Sequence, residues 1–141
     1  MIMTGYSDEI LEKLCEAVTD ADGTKDWMVS NGYPELWEFW NAIDGNEVSF
    51  RWLMKNHHPE LAAAVDSMMG NDQAKKWLLI NGYKELAAFV DAVEGSQGAI
   101  AMLHQLEEKG LVTLARAIHQ NERKREKGFL WSLFNFGNPF R

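Results

Sequence analysis

Leu86, Phe89, Val90 and Val93 fall at i, i+3, i+4 and i+7, the spacing that lines apolar side chains along one face of an α-helix. The pattern recurs at Leu36, Phe39, Trp40 and Ile43, at Leu61, Ala64, Val65 and Met68, and at Leu111, Leu114, Ala115 and Ile118, each set 25 residues from the next. A second set of columns precedes each face. Trp27, Trp52, Trp77 and Met102 keep the same spacing of 25, and Asn31, Asn56 and Asn81 stand four positions after each tryptophan. Then come Gly32-Tyr33, His57-His58 and Gly82-Tyr83, followed by Glu35-Leu36, Glu60-Leu61 and Glu85-Leu86, and each unit closes on Gly45, Gly70 or Gly95. A period of this length marks an array of helical repeats. A fourth unit, residues 96–120, keeps the apolar columns and loses the Asn-Gly signal.

Each unit is therefore predicted to be a helix–turn–helix hairpin. The first helix is the shorter, with Ala74, Trp77 and Leu78 on its inner side. Asn81-Gly82 supplies the left-handed residue that ends it, and Gly95 ends the second helix. Asn71-Asp72 and Ser96 are placed to cap first helices, and Pro34 and Pro59 suit the first turn of second helices. Ahead of the array, Ser7 is placed to cap a helix running roughly from Asp8 to Asp20, whose Ile10, Leu11, Leu14, Cys15, Ala17 and Val18 fit the second-helix columns. One hairpin cannot bury its apolar side alone, so neighbours must stack. The expected fold is all-α, an α-solenoid of stacked helix–turn–helix hairpins, right-handed or mildly curved. Residues 1–21 form an N-terminal capping helix, 22–120 four 25-residue hairpins, and 121–141 a basic then aromatic tail.

The stretches WLMKNHHPELAAAVDSMMG and WLLINGYKELAAFVDAVEG resemble the paired helices of an ankyrin repeat, and the resemblance extends over residues 22–120. An ankyrin unit has about 33 residues; this one has 25, shorter by about the length of the β-hairpin finger, and the Thr-Pro-Leu-His signature is absent. The resemblance implies protein–protein recognition on a stacked-helix surface, without chemistry.

Composition narrows the partners. With 141 residues, 46% of them hydrophobic, the chain can bury a core. Residues 1–120 carry 9 Lys/Arg against 19 Asp/Glu, 9 − 19 = −10, and such a body repels phosphate backbones, so no nucleic acid is expected. No apolar run is long enough to cross a bilayer, and the start MIMTGYSDEI lacks the basic and apolar regions of a secretory signal. The lone Cys15 sits on an apolar helix face and fits a reducing compartment, so a cytoplasmic location is expected.

Candidate chemistry is thin. His57 and His58 are adjacent, project in different directions and lack a third ligand at helical spacing; they occupy turn columns and read as turn packing. His104 and His119 stand singly and read as solvated or capping residues. Glu35, Glu60 and Glu85 form a carboxylate column, but each lies in the first turn of a helix, where the macrodipole favours an anion. Stacked helices lie roughly 10 Å apart, too far for neighbouring carboxylates to share a proton. No phosphate loop, nucleophile elbow or Ser/His/Asp arrangement is present. No catalytic, metal or cofactor site is expected. Trp27, Trp52 and Trp77 read as core between hairpins. Trp37 and Trp40 are bulkier than their columns, either filling the junction with the N-terminal helix or anchoring a partner.

The tail NERKREKGFLWSLFNFGNPFR gathers a basic cluster and then many aromatics. It fits three uses: a cap on the solenoid's open end, an apolar anchor for a partner or a second copy through Trp131, Phe134 and Phe136, or a membrane-surface anchor over 123–140. The expected function is a non-enzymatic interaction module for another protein. Its binding residues are Ser30, Lys55 and Ile80 at the ends of first helices and Tyr33, His58 and Tyr83 in the turns. The alternatives are a peripheral membrane protein held by the tail and an acidic decoy or inhibitor of a basic protein site.

Overall fold

The computed structural model describes residues 6–122. The expectations placed on the tail, including Trp131, Phe134 and Phe136, lie outside the described residues. Within them the chain runs α1 (Asp8–Cys15), a 3₁₀ turn (Glu16–Val18), α2 (Ala21–Ser30), α3 (Pro34–Ile43), α4 (Glu47–Lys55), α5 (Pro59–Met68), α6 (Asp72–Ile80), α7 (Lys84–Val93), α8 (Gln97–Gln105) and α9 (Lys109–Glu122).

Caps set these boundaries. Ser7 Oγ accepts the Ile10 N–H at 3.3 Å, Asn46 Oδ1 accepts that of Ser49 at 3.1 Å, and Ser96 Oγ accepts that of Ala99 at 3.2 Å. Each first helix ends in one repeated motif. In α2, the Tyr33 N–H reaches back to the Met28 carbonyl at 2.8 Å and the Gly32 N–H to Val29 at 3.2 Å, a Schellman closure. The asparagine column has its own task here: Asn31, Asn56 and Asn81 each donate Nδ2–H to the carbonyl of their unit's tryptophan at 2.8 Å. The left-handed position passes from Gly32 to His57 to Gly82 to Glu107, so the fourth unit keeps the turn without its glycine. No glycine follows at position 120, and α9 runs on to Glu122, longer than any other second helix.

The helices form two layers. Second helices α3, α5, α7 and α9 pack successively on one another inside, and α4, α6 and α8 cover their seams outside. The predicted faces are the core: Leu36, Leu61, Leu86 and Leu111 are all buried, as are Phe39, Phe89, Leu114 and Ile118. Each such side chain contributes about 1.5–3 kcal/mol on burial.

The stack does not stay open. It curves so far that Phe39 of α3 meets Phe89 of α7 across α5, ring centres 6.3 Å apart. The curvature brings α1 along α9, and α1 also touches α3. At the seam the Gly110 N–H donates to Asp8 Oδ1 at 2.9 Å. A Cβ at residue 110 would lie 2.7 Å from Asp8 Cα, so the backbones meet at a distance only glycine allows. The N-terminal helix thus closes a ring of five inner helices. The predicted helix to Asp20 is shorter than expected, because the 3₁₀ turn Glu16–Val18 leads into α2.

Candidate functional site

Tandem hairpins that stack in parallel put every helix–turn junction at one end of the ring. Ser30, Lys55 and Ile80 close α2, α4 and α6, while Tyr33, His58 and Tyr83 immediately precede α3, α5 and α7. The six predicted residues therefore share one end face. Ser30, Lys55 and Ile80 are exposed on its rim, and the turn residues are half-buried inside it.

The turn residues are not loose platforms. Tyr33 stacks on Trp27 at 6.4 Å, His58 on Trp52 at 6.1 Å and Tyr83 on Trp77 at 6.0 Å, with planes within 11° of parallel. This explains the tryptophan period. Each tryptophan is half-buried, with one side against the core and the turn aromatic beside it. Lys13 Nζ lies 5.7 Å from the Trp27 ring. Trp37 and Trp40 are buried, which favours packing over an aromatic anchor.

Inside the aromatic circle lie the carboxylates at the starts of the inner helices. Tyr6, which precedes α1, donates its hydroxyl to Glu35 Oε2 at 2.6 Å and packs edge-on against Tyr33 at 6.0 Å. Burial, then the bond and the charge of Glu35, push the Tyr6 phenol far above its ordinary range. Glu60 Oε1 lies 3.6 Å from His58 Nδ1. The fourth unit departs from the rest. Its counterpart to Tyr33, His58 and Tyr83 is Glu108, only 1% exposed, with no hydrogen-bond partner for either carboxylate oxygen among the described residues. Burial first, then the charge of Glu85, raise its carboxyl above the usual range; Asp8 acts the same way and the chain's amino-terminal charge opposes them.

The rim also carries apolar surface. Ile80 is 82% exposed, Leu79 54% and Val29 53%. Val29, Met54 and Leu79 share the 25-residue spacing on α2, α4 and α6. That stripe was legible as a column one position before Ser30, Lys55 and Ile80. Glu108 was legible as an acid in an aromatic column, and Tyr6 had no signal, since it lies outside the repeat.

The opposite end is plainer. A cleft of about 520 Å³ opens between the end of α7, the start of α8 and the end of α9, with Gln97, Ile100, Arg116, His119 and Gln120 on its walls. His119 Nδ1 lies 2.7 Å from the Val93 carbonyl. Cys15 is half-buried, its Sγ–H donates to the Leu11 carbonyl at 3.5 Å, and burial pushes the thiol up to about 11. Such a thiol is a poor nucleophile at neutral pH. Among the described residues, no group of three His, Cys, Asp or Glu is placed to hold a metal ion, and no helix is long and apolar enough to cross a membrane.

No family model matches the sequence, and neither a curated protein nor a solved structure matches it. The geometry defines the class: an all-α stack of helical hairpins.

Proposed function

We propose that the protein is a non-enzymatic recognition module of the ankyrin-like kind, acting in the cytoplasm, whose turn end binds another protein. The observation that carries this reading is the apolar rim. Leu79 and Ile80 stay exposed side by side at the end of α6, Val29 stands exposed at the matching place on α2, and exposed apolar side chains gathered on a folded surface mark interaction sites. The stacked Trp–Tyr and Trp–His pairs make the adjoining surface rigid, which lowers the ordering cost of binding.

A second reading, an acidic decoy for a basic protein site, is favoured by the convergence of Asp8, Glu35, Glu60 and Glu85 at the starts of inner helices around that same end. The two readings differ in salt dependence: exposed charge pairs weaken steeply as salt rises, whereas apolar contacts do not.

The test is capture from native lysate with the full chain and with a Leu79→Ser, Ile80→Asp variant. Both positions are exposed, so the fold is retained to within about 0.5 kcal/mol. Recognition through the rim predicts that proteins held by the native chain at high salt are lost from the variant. Retention of the same proteins contradicts it.

A further inference from the structure

Glu108 has no explanation in the packing. The repeat offers this position an aromatic ring three times, each stacked on its unit's tryptophan, and a tyrosine fits the turn at Tyr33 and Tyr83. In the fourth unit a carboxyl is buried there instead, with neither oxygen hydrogen-bonded among the described residues. A buried, unpartnered carboxylate is expensive, and such a group is held neutral or expelled.

Its place in the ring is specific. Glu108 is the residue before α9, its carbonyl accepts the Val112 N–H at 3.1 Å, and two residues on is Gly110, where α1 is fastened through Asp8. Three elements pack against α9: α1, α7 and α8. Asp8 from α1 and Glu85 from α7 act on the carboxyl with negative charge, the chain's amino terminus acts on it with positive charge, and α8 brings no charged side chain that acts on it. The α9 dipole and the amino-terminal charge favour an anion at this end, but burial and the two carboxylates act the other way, and the carboxyl stays above its usual range.

We propose that Glu108 makes the α1–α9 seam a proton-controlled closure: the ring stays shut while the carboxyl is neutral, and α1 lifts from α9 when it ionises. The reaction is a simple deprotonation. The proton leaves to solvent, and the carboxylate gains water as the seam parts. The undocked helix uncovers Leu11 and Leu14, its two fully buried leucines. The closed state binds the proton more tightly than the open one, so the open population grows as pH rises. Growth starts near the ordinary carboxyl value of 4.5 and levels off once the closed form also ionises. One coupled proton gives at most about a tenfold change per pH unit.

Amide hydrogen exchange on the full chain across pH, corrected for the intrinsic exchange rate, reads this directly. Protection of α1 is expected to fall with pH, by up to about tenfold per unit, while protection in α5 stays level. Glu108→Gln is expected to abolish the slope. Glu85→Gln, which removes one neighbouring charge and serves if the first variant does not fold, is expected to make the slope level off at lower pH. A native chain whose α1 protection does not change with pH overturns the proposal. So does a loss of protection that α1 and α5 share equally, or a slope that both variants leave unaltered.

Discussion

His57 occupies the left-handed conformation, φ 67°, that Gly32 and Gly82 take in the flanking units at 84° and 86°. A side chain there strains the backbone by about 1–2 kcal/mol relative to glycine. His57 is exposed and neighbours the stacked His58, so its side chain returns little of that cost. His57→Gly is therefore expected to stabilise the protein by about 1 kcal/mol, offset in part by the greater freedom of glycine in the unfolded chain. Chemical denaturation measures it, and a loss of stability would show that the His57 side chain makes a contact worth more than the strain. The histidine pair was legible as turn packing because it fell in the Gly-Tyr columns, and His58 on Trp52 is that packing. The tryptophans were legible as a period but not as half-exposed partners of the turn. Sequence spacing gives the helix face of Trp77, whereas the ring it meets comes from a residue beyond the helix end.

At the scale of elements, the hairpins follow from local rules. The helix faces, the Ser7 and Ser96 caps, and the prolines opening α3 and α5 all stand where hydrophobic period and capping chemistry put them. The docking of α1 on α9 was not legible, because it joins residues 102 positions apart and leaves no local signal beyond one glycine. Gly110 fills the column that holds Glu35, Glu60 and Glu85, and its meaning appears only when Asp8 lies against it. Two glycine substitutions separate this close approach from ordinary helix propensity. Gly110→Ala pushes a methyl into the Asp8 backbone and is expected to cost about 1–3 kcal/mol. Gly98→Ala, exposed in α8 with only Ser96 Oγ nearby at 3.9 Å, is expected to gain about 0.5–1 kcal/mol. Thermal melting of both variants checks the pair, and a gain at residue 110 would mean that α1 does not pack as closely as the ring requires.

Across the whole molecule, closure changes what repetition is for. An open array presents one side of its units, and its ends need separate caps. Here α1 and α9 cap each other. The starts of the inner helices then converge on one end, with Glu35, Glu60 and Glu85 beside the aromatic pairs, Glu108 in the place of a fourth turn aromatic, and a partly apolar rim outside. The candidate face was therefore half legible. Ser30, Lys55, Ile80 and the three turn residues were read from the repeat, but their gathering around a common centre depends on curvature, which accumulates over four units from packing angles no single unit reveals. The measurement that bears most directly on this account is an isotope-edited nuclear Overhauser spectrum of the full chain, read for transfer between the Gly110 amide proton and the protons of Asp8. The closed ring predicts a clear cross-peak, as the bond of 2.9 Å between these residues requires. Well-resolved signals from both residues with no transfer between α1 and α9 would contradict it and leave an open stack with two free ends.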